Sequence, residues 1–596
     1  MPFFSKQALL PLLPQDDPNP AKRAQDLAIS QGAYRYNYTY IPELPMAQSV
    51  PNDDRPSLKW LLAVADIALK ILFNTVLTKD QKKANDTKDK QKANDRESSR
   101  NLEKYNQILQ RLTINPNDTE ATLEDLGNMI QALKASGNGD SFAEYDELFK
   151  AISLPDVSKL FKKDDWFAWM RVAGPNPLVI ERVKNISQVF ISEDKYQIFI
   201  PDESLEEGIS RGRLYIADYS IVSQLEAGSH PNQQKYITAP KALFVVKDRT
   251  LVPVGIEIDN IVFYPNTDYW SWEIAKAFVQ IADANHHELI SHLGHTHLVI
   301  EAFVLATRRC LAPNHPLNIL LLPHFEGTLF INDQAQKRLV TDNAPVDALL
   351  AGNIDSSRQF SVQSVQKFNF NKAMLPVTFA DRGIDDPNLL PNYPYRDDGL
   401  LIWNAIKQWV ADYLNIYYQN SDDNVEEDTE LQAWITELLS PTGGRMTNIG
   451  EGGKIKTIAY LEECITLIIF TASAQHAAVN FPQSTIMSYA PAIPFAGYTP
   501  APTSAVGATK EDYFNLLPPV SQAQGQLNLN FLLGSVYYTR LGDYTSILDM
   551  RVQKRLRNFQ DNLKAIEVTI RGRNERRTIG SYPYLRPSQI PQSINI

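Results

Sequence analysis

The residue types best suited to chemistry lie in two apolar segments and at the end of the chain. Residues 283–301 read DANHHELISHLGHTHLVIE and hold five of the nine histidines. Residues 471–481 read TASAQHAAVNF and add His476 and Asn480, and Ile596 ends the sequence with a main-chain carboxylate. Together with His292 and His297 they offer imidazole, amide and carboxylate ligands. That set suits a redox-active non-haem iron, and manganese accepts the same ligands.

The spacing of the first histidines argues against a zinc protease. His287 and Glu288 are followed by His292, which gives the pattern HExxxH. A zincin needs HExxH, because histidines four apart project from one face of a helix. The spacing in this segment therefore disfavours a zinc-protease site.

His292 and His297 are five residues apart, which places them about 140° apart on a regular α-helix. They cannot both bind one ion in that geometry. A π-bulge widens the turn and brings such residues towards one face, and Gly294 would ease the distortion. His476 and Asn480 are four apart and already share a face on an ordinary helix. We therefore expect a π-helical distortion between His292 and His297.

The composition is that of a globular protein with an acidic surface. The chain has 596 residues, 43% of them apolar, and a net charge of -11 from 69 acidic and 58 basic residues. This balance disfavours a nucleic-acid partner, because counterion release favours a basic surface. Only Cys310 and Cys464 are present, and no positive region precedes the first apolar run. We expect a cytoplasmic protein, with membrane association left open.

Residues 1–150 are predicted to form a helical N-terminal extension. Within it, about 57–78 read as an amphipathic helix, and 79–104 form a charged linker rich in both signs. Lys59, Asp66, Lys70 and Asn74 make one polar stripe along that helix. Internal packing and contact with a membrane surface both fit this pattern, and a transmembrane span fits less well.

Residues 151–596 are predicted to form one large, mainly α-helical catalytic domain with a small β-sheet near its start. Five short β-rich runs between about 190 and 264 predict that sheet: QVFIS, KYQIFIP, RLYIADYSIV, KALFVVKD and LVPVGIEI. Long helical patterns then cover residues 270–311 and 456–481, and Pro482 ends the second. The fold class is therefore mainly α.

Several segments of the catalytic region resemble lipoxygenases, in the order of that family. The resemblance covers about residues 164–596 and is carried by HHELISHLGHTHLVIEAF, HPLNILLLPHFEGTLFIN, RLYIADYSIV, KALFVVKDRTLVPVGIEI, WEIAKAFVQIAD, LPVTFADRGI, YPYRDDGLLIWNAI and ASAQHAAVNFPQ. The final isoleucine also matches most members.

The resemblance implies roles for individual residues. The family's iron ligands fall on His292, His297, His476, Asn480 and the carboxylate of Ile596. Residues just outside the ligands are Gln483, His287 and Glu288. The fatty-acid and oxygen channel is implied at Ala335, Leu339 and Ile331, with Ala335 at the position that influences where oxygen adds.

The sequence departs from the family pattern in two places. Gln334 stands where many animal members carry an arginine that is proposed to hold the substrate carboxylate, so that anchor is absent. The N-terminal region reads as helical where plant and animal members often have a β-sandwich lipid domain. The arrangement is similar to bacterial and cyanobacterial mini-lipoxygenases.

The resemblance implies an enzyme that adds molecular oxygen to polyunsaturated fatty acids containing a cis,cis-1,4-pentadiene. The implied mechanism is hydrogen abstraction by a ferric hydroxide, and the product is a lipid hydroperoxide. A hydroperoxide isomerase on the same scaffold is the alternative enzyme, and a lipid carrier with an inert metal site is the non-enzymatic one. Oxygen consumption with free linoleate distinguishes the first two.

Overall fold

The computed structural model describes residues 10–84, 139–545, 547 and 549–596, with the side chains of 79–84 excepted. Of the charged linker predicted at 79–104, residues 79–84 are helical, and the rest lies outside the described residues. Within the described residues the protein is mainly α-helical with a small main sheet, as the sequence predicts, and with one further pair of short strands.

Twenty-one α-helices account for nearly half of the described residues: α1 Pro20–Ala33, α2 Leu58–Ala84, α3 Phe142–Asp146, α4 Asp164–Ala173, α5 Glu193–Gln197, α6 Leu205–Ser210, α7 Tyr269–His286, α8 Val299–Cys310, α9 Pro316–Leu321, α10 Thr328–Arg338, α11 Pro345–Leu349, α12 Ile354–Gln366, α13 Leu375–Arg382, α14 Pro394–Tyr418, α15 Asp422–Glu426, α16 Thr429–Leu439, α17 Ile458–Phe470, α18 His476–Asn480, α19 Lys510–Leu516, α20 Val520–Leu533 and α21 Met550–Arg576. Three π-helical segments interrupt this pattern at His287–Leu298, Thr471–Gln475 and Gln483–Met487.

The main sheet has five antiparallel strands in sequential order: β3 Glu181–Arg182, β4 Leu214–Asp218, β5 Lys241–Lys247, β6 Thr250–Ile258 and β7 Ile261–Phe263. Side chains alternate between its two faces, so Phe244 of β5 joins the main core and Val245 joins a smaller core. Phe244 stacks on Phe167 of α4 at a ring-centroid distance of 5.9 Å. The sheet is thus joined to the helical body through α4.

Two of the five predicted strand runs are wrong. KYQIFIP is not a strand, because Glu193–Gln197 form helix α5, and QVFIS lies in irregular and 3₁₀ structure. The residues Ser-Glu-Asp at 192–194 are typical of a helix N-terminus. In this helix Tyr196 is fully buried, and its hydroxyl donates to Glu203. The helix signal therefore outweighs the alternation of apolar residues.

Two long continuous helices form the centre of the molecule. The first runs from Tyr269 to Cys310 and the second from Ile458 to Met487, and both are almost completely buried within the protein. By length and composition, they and Leu58–Thr78 are the three described helices that could cross a membrane. The two central helices instead supply the metal-binding candidates from the middle of the core.

Helix α2 packs one face into the protein and leaves another exposed. Trp60, Val64, Ala68 and Ile71 are buried. The outward stripe carries four large apolar side chains and one ion pair between Asp66 and Lys70: Leu58, Leu62, Phe73 and Leu77 are each 45–49% exposed. The helix therefore packs internally and still presents apolar surface to its surroundings.

Asn74 does not belong to the polar stripe that the sequence predicts. Its side chain is fully buried, donates to the Leu148 carbonyl at 2.7 Å and accepts from the backbone N–H groups of residues 150–152. Buried backbone donors need partners, so the amide serves as a cap for this loop. The prediction that Asn74 lies on this helix is confirmed, but the prediction that its side chain lies on the exposed polar stripe is wrong.

The N-terminal region also contains a pair of two-residue strands, β1 Tyr36–Asn37 and β2 Met46–Ala47, which the prediction of a helical extension omits. Met46 and Ala47 are buried against α8. The backbone N–H of Ala47 donates to Glu301 of α8 at 2.7 Å. These strands therefore belong to the core around the central helices.

Candidate metal centre and active-site cavity

A π-helical segment brings the first two histidines together. Residues His287–Leu298 form one continuous π-helix, as the five-residue spacing predicts. The Nε2 atoms of His292 and His297 lie 3.3 Å apart. A Cβ at Gly294 would lie 2.4 Å from Ser364 Oγ of α12, so glycine also permits this close packing.

His476 completes the cluster from the second central helix. The π-helical turn Thr471–Gln475 immediately precedes it, and small alanines around it allow close approach. Its Nε2 lies 3.4 Å from that of His292 and 3.2 Å from that of His297. His292, His297 and His476 are all buried and can offer three nitrogen ligands to one ion.

The chemistry of the cluster fits a metal ion. His297 Nδ1 lies 2.8 Å from Asn332 Oδ1, and because this oxygen only accepts, Nδ1 carries the proton and Nε2 presents its lone pair. Burial lowers the pKa of His297 to about 3 and also lowers the pKa values of His292 and His476, so all three are neutral. Nitrogens about 2.1 Å from a shared ion lie roughly 3.0 Å apart at right angles, close to the observed spacing.

The two remaining predicted ligands lie beside this cluster. Ile596 is 5% exposed and lines the same cavity as His292 and His297, and its backbone acts on His476 by opposing the lowering of that residue's pKa by burial. Asn480 is fully buried on α18, one turn after His476. Its Oδ1 accepts from Gln483 Nε2 at 3.0 Å, and its Nδ2 donates to the Leu533 carbonyl.

Three polar side chains surround His292 and its neighbours. Gln483 Nε2 lies 3.4 Å from His292 Nδ1, and Gln483 Oε1 is buried without a hydrogen-bond partner. Glu288 Oε2 lies 3.7 Å from the same His292 nitrogen. Burial alone would raise the pKa of Glu288, but hydrogen bonds and charge from His287 and His292 lower it to about 2. His287 is anchored by the Val479 carbonyl at 2.8 Å.

Asn332 and Glu301 orient His297, and sequence reasoning missed both. The Asn332 amide donates to Glu301 Oε2 at 2.8 Å and to the His297 carbonyl at 3.0 Å. Glu301 also accepts from Ala47, and burial raises its pKa to about 7. An outer carboxylate or amide partner fixes the tautomer of a ligating histidine. The sequence feature that could have indicated Asn332 is its position directly after the predicted channel residue Ile331.

A cavity of about 640 Å³ leads away from the cluster. Its apolar wall includes Leu289, Leu293, Leu529, Leu532 and Leu533 together with the three predicted channel residues Ile331, Ala335 and Leu339. Trp60, Val64 and Ala68 of α2 line the same cavity. A volume of this size accommodates a long aliphatic ligand.

The cavity also has a polar part that the sequence did not predict. Helix α10 presents Ile331, Gln334, Ala335 and Arg338 to the cavity, at the i, i+3, i+4, i+7 spacing of one helical face. Gln334 is buried, and its Oε1 has no hydrogen-bond partner. Arg338 lies about one turn beyond Ala335, and the exposed residues 231–233 and 343 also line the cavity. The cavity lining therefore combines two histidines of the cluster with polar and cationic side chains.

Comparison with known proteins identifies the family. A family model described as Lipoxygenase matches residues 40–581. The chain belongs to the lipoxygenase family. It is 37% identical to the linoleate 9/13-lipoxygenase of Pseudomonas aeruginosa, over 98% of this chain and 93% of that protein. It is therefore a lipoxygenase-type oxidoreductase.

Two further relatives bear on substrate and reaction. The human hydroperoxide isomerase ALOXE3 is 30% identical, over 75% of this chain and 64% of that protein. An anaerobic crystal structure of a lipoxygenase variant in complex with arachidonate superposes with a TM-score of 0.82 at 25% identity, covering 98% of this chain and 83% of that one.

The histidine cluster predicts that His297→Ala abolishes stable metal binding, because the ion loses a nitrogen ligand and Asn332 loses its partner. Metal content by mass spectrometry of the purified protein measures this. The matched control is His295→Ala on the same π-helix: His295 Nε2 is 3.4 Å from the Ser364 carbonyl and lies outside the cluster. Equal metal loss in both variants would show that folding, not coordination, had been disturbed.

Proposed function

We propose that the protein is a non-haem iron dioxygenase that converts polyunsaturated fatty acids with a cis,cis-1,4-pentadiene into lipid hydroperoxides. The observation that carries the proposal is the buried cluster of three neutral imidazoles, two of which, His292 and His297, line a mainly apolar cavity. Family membership supports a lipoxygenase reaction, and linoleate and arachidonate appear in the names of its relatives.

In this proposal His292, His297, His476, Asn480 and the Ile596 carboxylate hold the metal. Neutral imidazoles and one carboxylate stabilise both the ferrous and ferric states of iron, and manganese would accept the same set. When bound, the metal supplies the one-electron oxidation that removes a hydrogen atom from the bis-allylic carbon. Glu288 lies beside His292 Nδ1 and Asn332 accepts from His297 Nδ1, so the Nε2 atoms of both histidines are left to face the metal, and Gln483 donates to Asn480.

The cavity wall holds the substrate radical while oxygen adds. Apolar side chains exclude water, and a fixed position of the pentadiene decides which carbon is attacked. Ile331 and Ala335 lie on the cavity-facing side of α10, and Leu339 follows at its end. We propose that Ala335 influences the carbon and the face to which oxygen adds, and that Leu339 and Ile331 shape oxygen access.

Incubation of the metal-loaded enzyme with free linoleate tests the function. We expect oxygen consumption, conjugated-diene absorbance and a hydroperoxide product, with chiral chromatography identifying the carbon. Ala335→Gly is expected to move part of the oxygen to another carbon or to the opposite chirality. No oxygen uptake by the iron-loaded enzyme with either linoleate or α-linolenate would contradict the proposal.

Hydroperoxide isomerisation is the second candidate, and the likeness to ALOXE3 favours keeping it. An isomerase rearranges a preformed hydroperoxide and consumes no oxygen with free linoleate. The same assay therefore separates the two reactions when a linoleate hydroperoxide is supplied in parallel.

We further propose that Arg338 pairs with the carboxylate of the fatty acid. The sequence lacks the arginine that many animal members carry beside the alanine, and Gln334 at that position is uncharged. Arg338 extends the same face of α10 by one turn and lines the cavity, to which exposed residues also contribute. A guanidinium there matches a planar carboxylate geometrically and electrostatically.

Arg338→Gln is expected to raise KM for linoleate about ten-fold with a small change in kcat, because a charge-assisted hydrogen bond contributes roughly 1.5–3 kcal/mol. The effect should vanish with methyl linoleate, which has no carboxylate. Lys337→Gln is the matched control: Lys337 is the adjacent cation on α10, exposed and paired with Asp333 at 2.9 Å. Equal KM changes in both variants would point to general surface charge instead.

We also propose that the outward stripe of α2 contacts membrane surfaces and that the protein is cytoplasmic and peripherally attached. Leu58, Leu62, Phe73 and Leu77 expose apolar surface on the outer side of the helix that lines the cavity with Trp60 and Val64. Burying apolar area at a bilayer surface is favourable by about 25 cal/mol for each Å². Substrate dissolved in the membrane would then lie close to the cavity.

Leu62→Gln combined with Phe73→Gln is expected to reduce co-sedimentation with phosphatidylcholine vesicles several-fold while preserving turnover of detergent-dispersed linoleate. The reason is that these side chains face outward and the cavity-lining face of α2 is unchanged. Met550→Gln with Val568→Gln on α21 is the control pair, because both residues are also exposed and apolar. If both pairs behave like the unmodified protein, α2 is not the membrane contact.

A further inference from the structure

The C-terminal segment is held in place by hydrogen bonds from several distant elements. The Gln592 carbonyl lies 2.7 Å from His324 Nδ1, Thr328 Oγ1 donates to the Ile594 carbonyl at 3.0 Å, and Ser593 Oγ donates to the Glu326 carbonyl at 2.7 Å. These contacts fix the backbone as it approaches the histidine cluster.

A further hydrogen bond, to the carbonyl of Asn595, comes from the N-terminal region. The indole Nε1–H of Trp60, in the first turn of α2, donates to the carbonyl of Asn595 at 2.6 Å. Asn595 immediately precedes Ile596, whose carboxylate we propose as a metal ligand. More than 500 residues of sequence separate the donor from the acceptor, so only the fold brings them together.

Trp60 is itself held rigidly. It is 3% exposed, and its ring packs edge-on against Phe330 of α10 with ring centroids 5.7 Å apart. Its backbone N–H donates to Ser57 Oγ, and that hydroxyl lies 2.6 Å from the Tyr538 hydroxyl. Because these contacts hold Trp60 in place, its indole N–H can restrict the position of the Asn595 carbonyl.

We propose that Trp60 is a positioning residue of the metal centre, which fixes the Asn595 carbonyl and thereby aims the Ile596 carboxylate at the histidine cluster. The inference rests on the proposed ligand role of Ile596. Its physical basis is that hydrogen-bonded partners outside the ligands fix their orientation, and that losing such a partner typically weakens metal binding 10- to 100-fold. Helix α2 is then part of the metal centre as well as of the cavity wall.

Trp60→Phe tests this, because phenylalanine keeps an apolar ring in the core and removes the N–H. We expect metal release to a chelator about ten-fold faster than from the unmodified enzyme and a changed ferric electron paramagnetic resonance signal. The matched control is Trp434→Phe on α16: Trp434 is also buried, and its Nε1–H donates to Thr307 Oγ1 at 3.1 Å. It should lose a similar hydrogen bond without altering the metal.

An enzyme extended by Gly-Ser after Ile596 calibrates the loss of the carboxylate itself. If Trp60→Phe matches the unmodified enzyme in release rate and spectrum, or if Trp434→Phe changes both equally, the inference is overturned. If the extended enzyme and the unmodified enzyme hold metal equally well, the ligand role of Ile596 fails first, and the role of Trp60 fails with it.

Hydrogen–deuterium exchange on the unmodified protein provides a second test that needs no variant. Because coupling between two sites is reciprocal, metal loading should slow exchange in residues 58–71 of α2 if α2 stabilises the metal centre. Helix α16 should exchange equally with and without metal. Unchanged exchange of α2 on metal loading would contradict the coupling.

Discussion

The convergence of three neutral, buried imidazoles is the constraint on which the surrounding structure depends. Their Nε2 atoms lie 3.2–3.4 Å apart, and regular α-helices cannot bring residues five apart to that position. The first central helix is therefore π-helical from His287 to Leu298, and the second has a π-helical turn just before His476. Both helices are almost completely buried, so the packing around them holds these turns and the cluster in the core.

The proposed carboxylate ligand at the buried Ile596 imposes a second requirement. A carboxylate removed from water needs an opposite charge or several hydrogen bonds, and the three histidines beside it are neutral. A bound cation would balance the charge of the Ile596 carboxylate and the nearby acid Glu288 together. Without a cation, two buried carboxylates would destabilise the site, and a bound cation removes this cost. We therefore expect the site to bind a metal ion tightly.

Much of the centre could be predicted from residue types and spacing, and the rest depends on contacts that spacing does not encode. The five-residue interval between His292 and His297 predicted the π-helix, since no other regular turn serves both. Asn74 follows the period of the polar stripe, yet it is buried because three backbone donors of a distant loop need it. Nothing in the sequence marks Trp60 or Asn332 for the roles described above, because their partners lie far away in sequence. The run KYQIFIP was misassigned because its apolar residues also fit a short helix that begins at Glu193.

The helix α2 shows why internal packing and membrane contact need not exclude each other. Successive side chains of a helix point about 100° apart, so different faces of one helix can contact different surroundings. Trp60, Val64 and Ala68 recur every four residues along the cavity side, whereas Leu58 and Leu62 lie on the outside. A proposed apolar contact on the outer face and the hydrogen bond from Trp60 to the C-terminal segment therefore involve the same helix. Whatever moves this helix would move a wall of the substrate cavity and the support of a proposed ligand together.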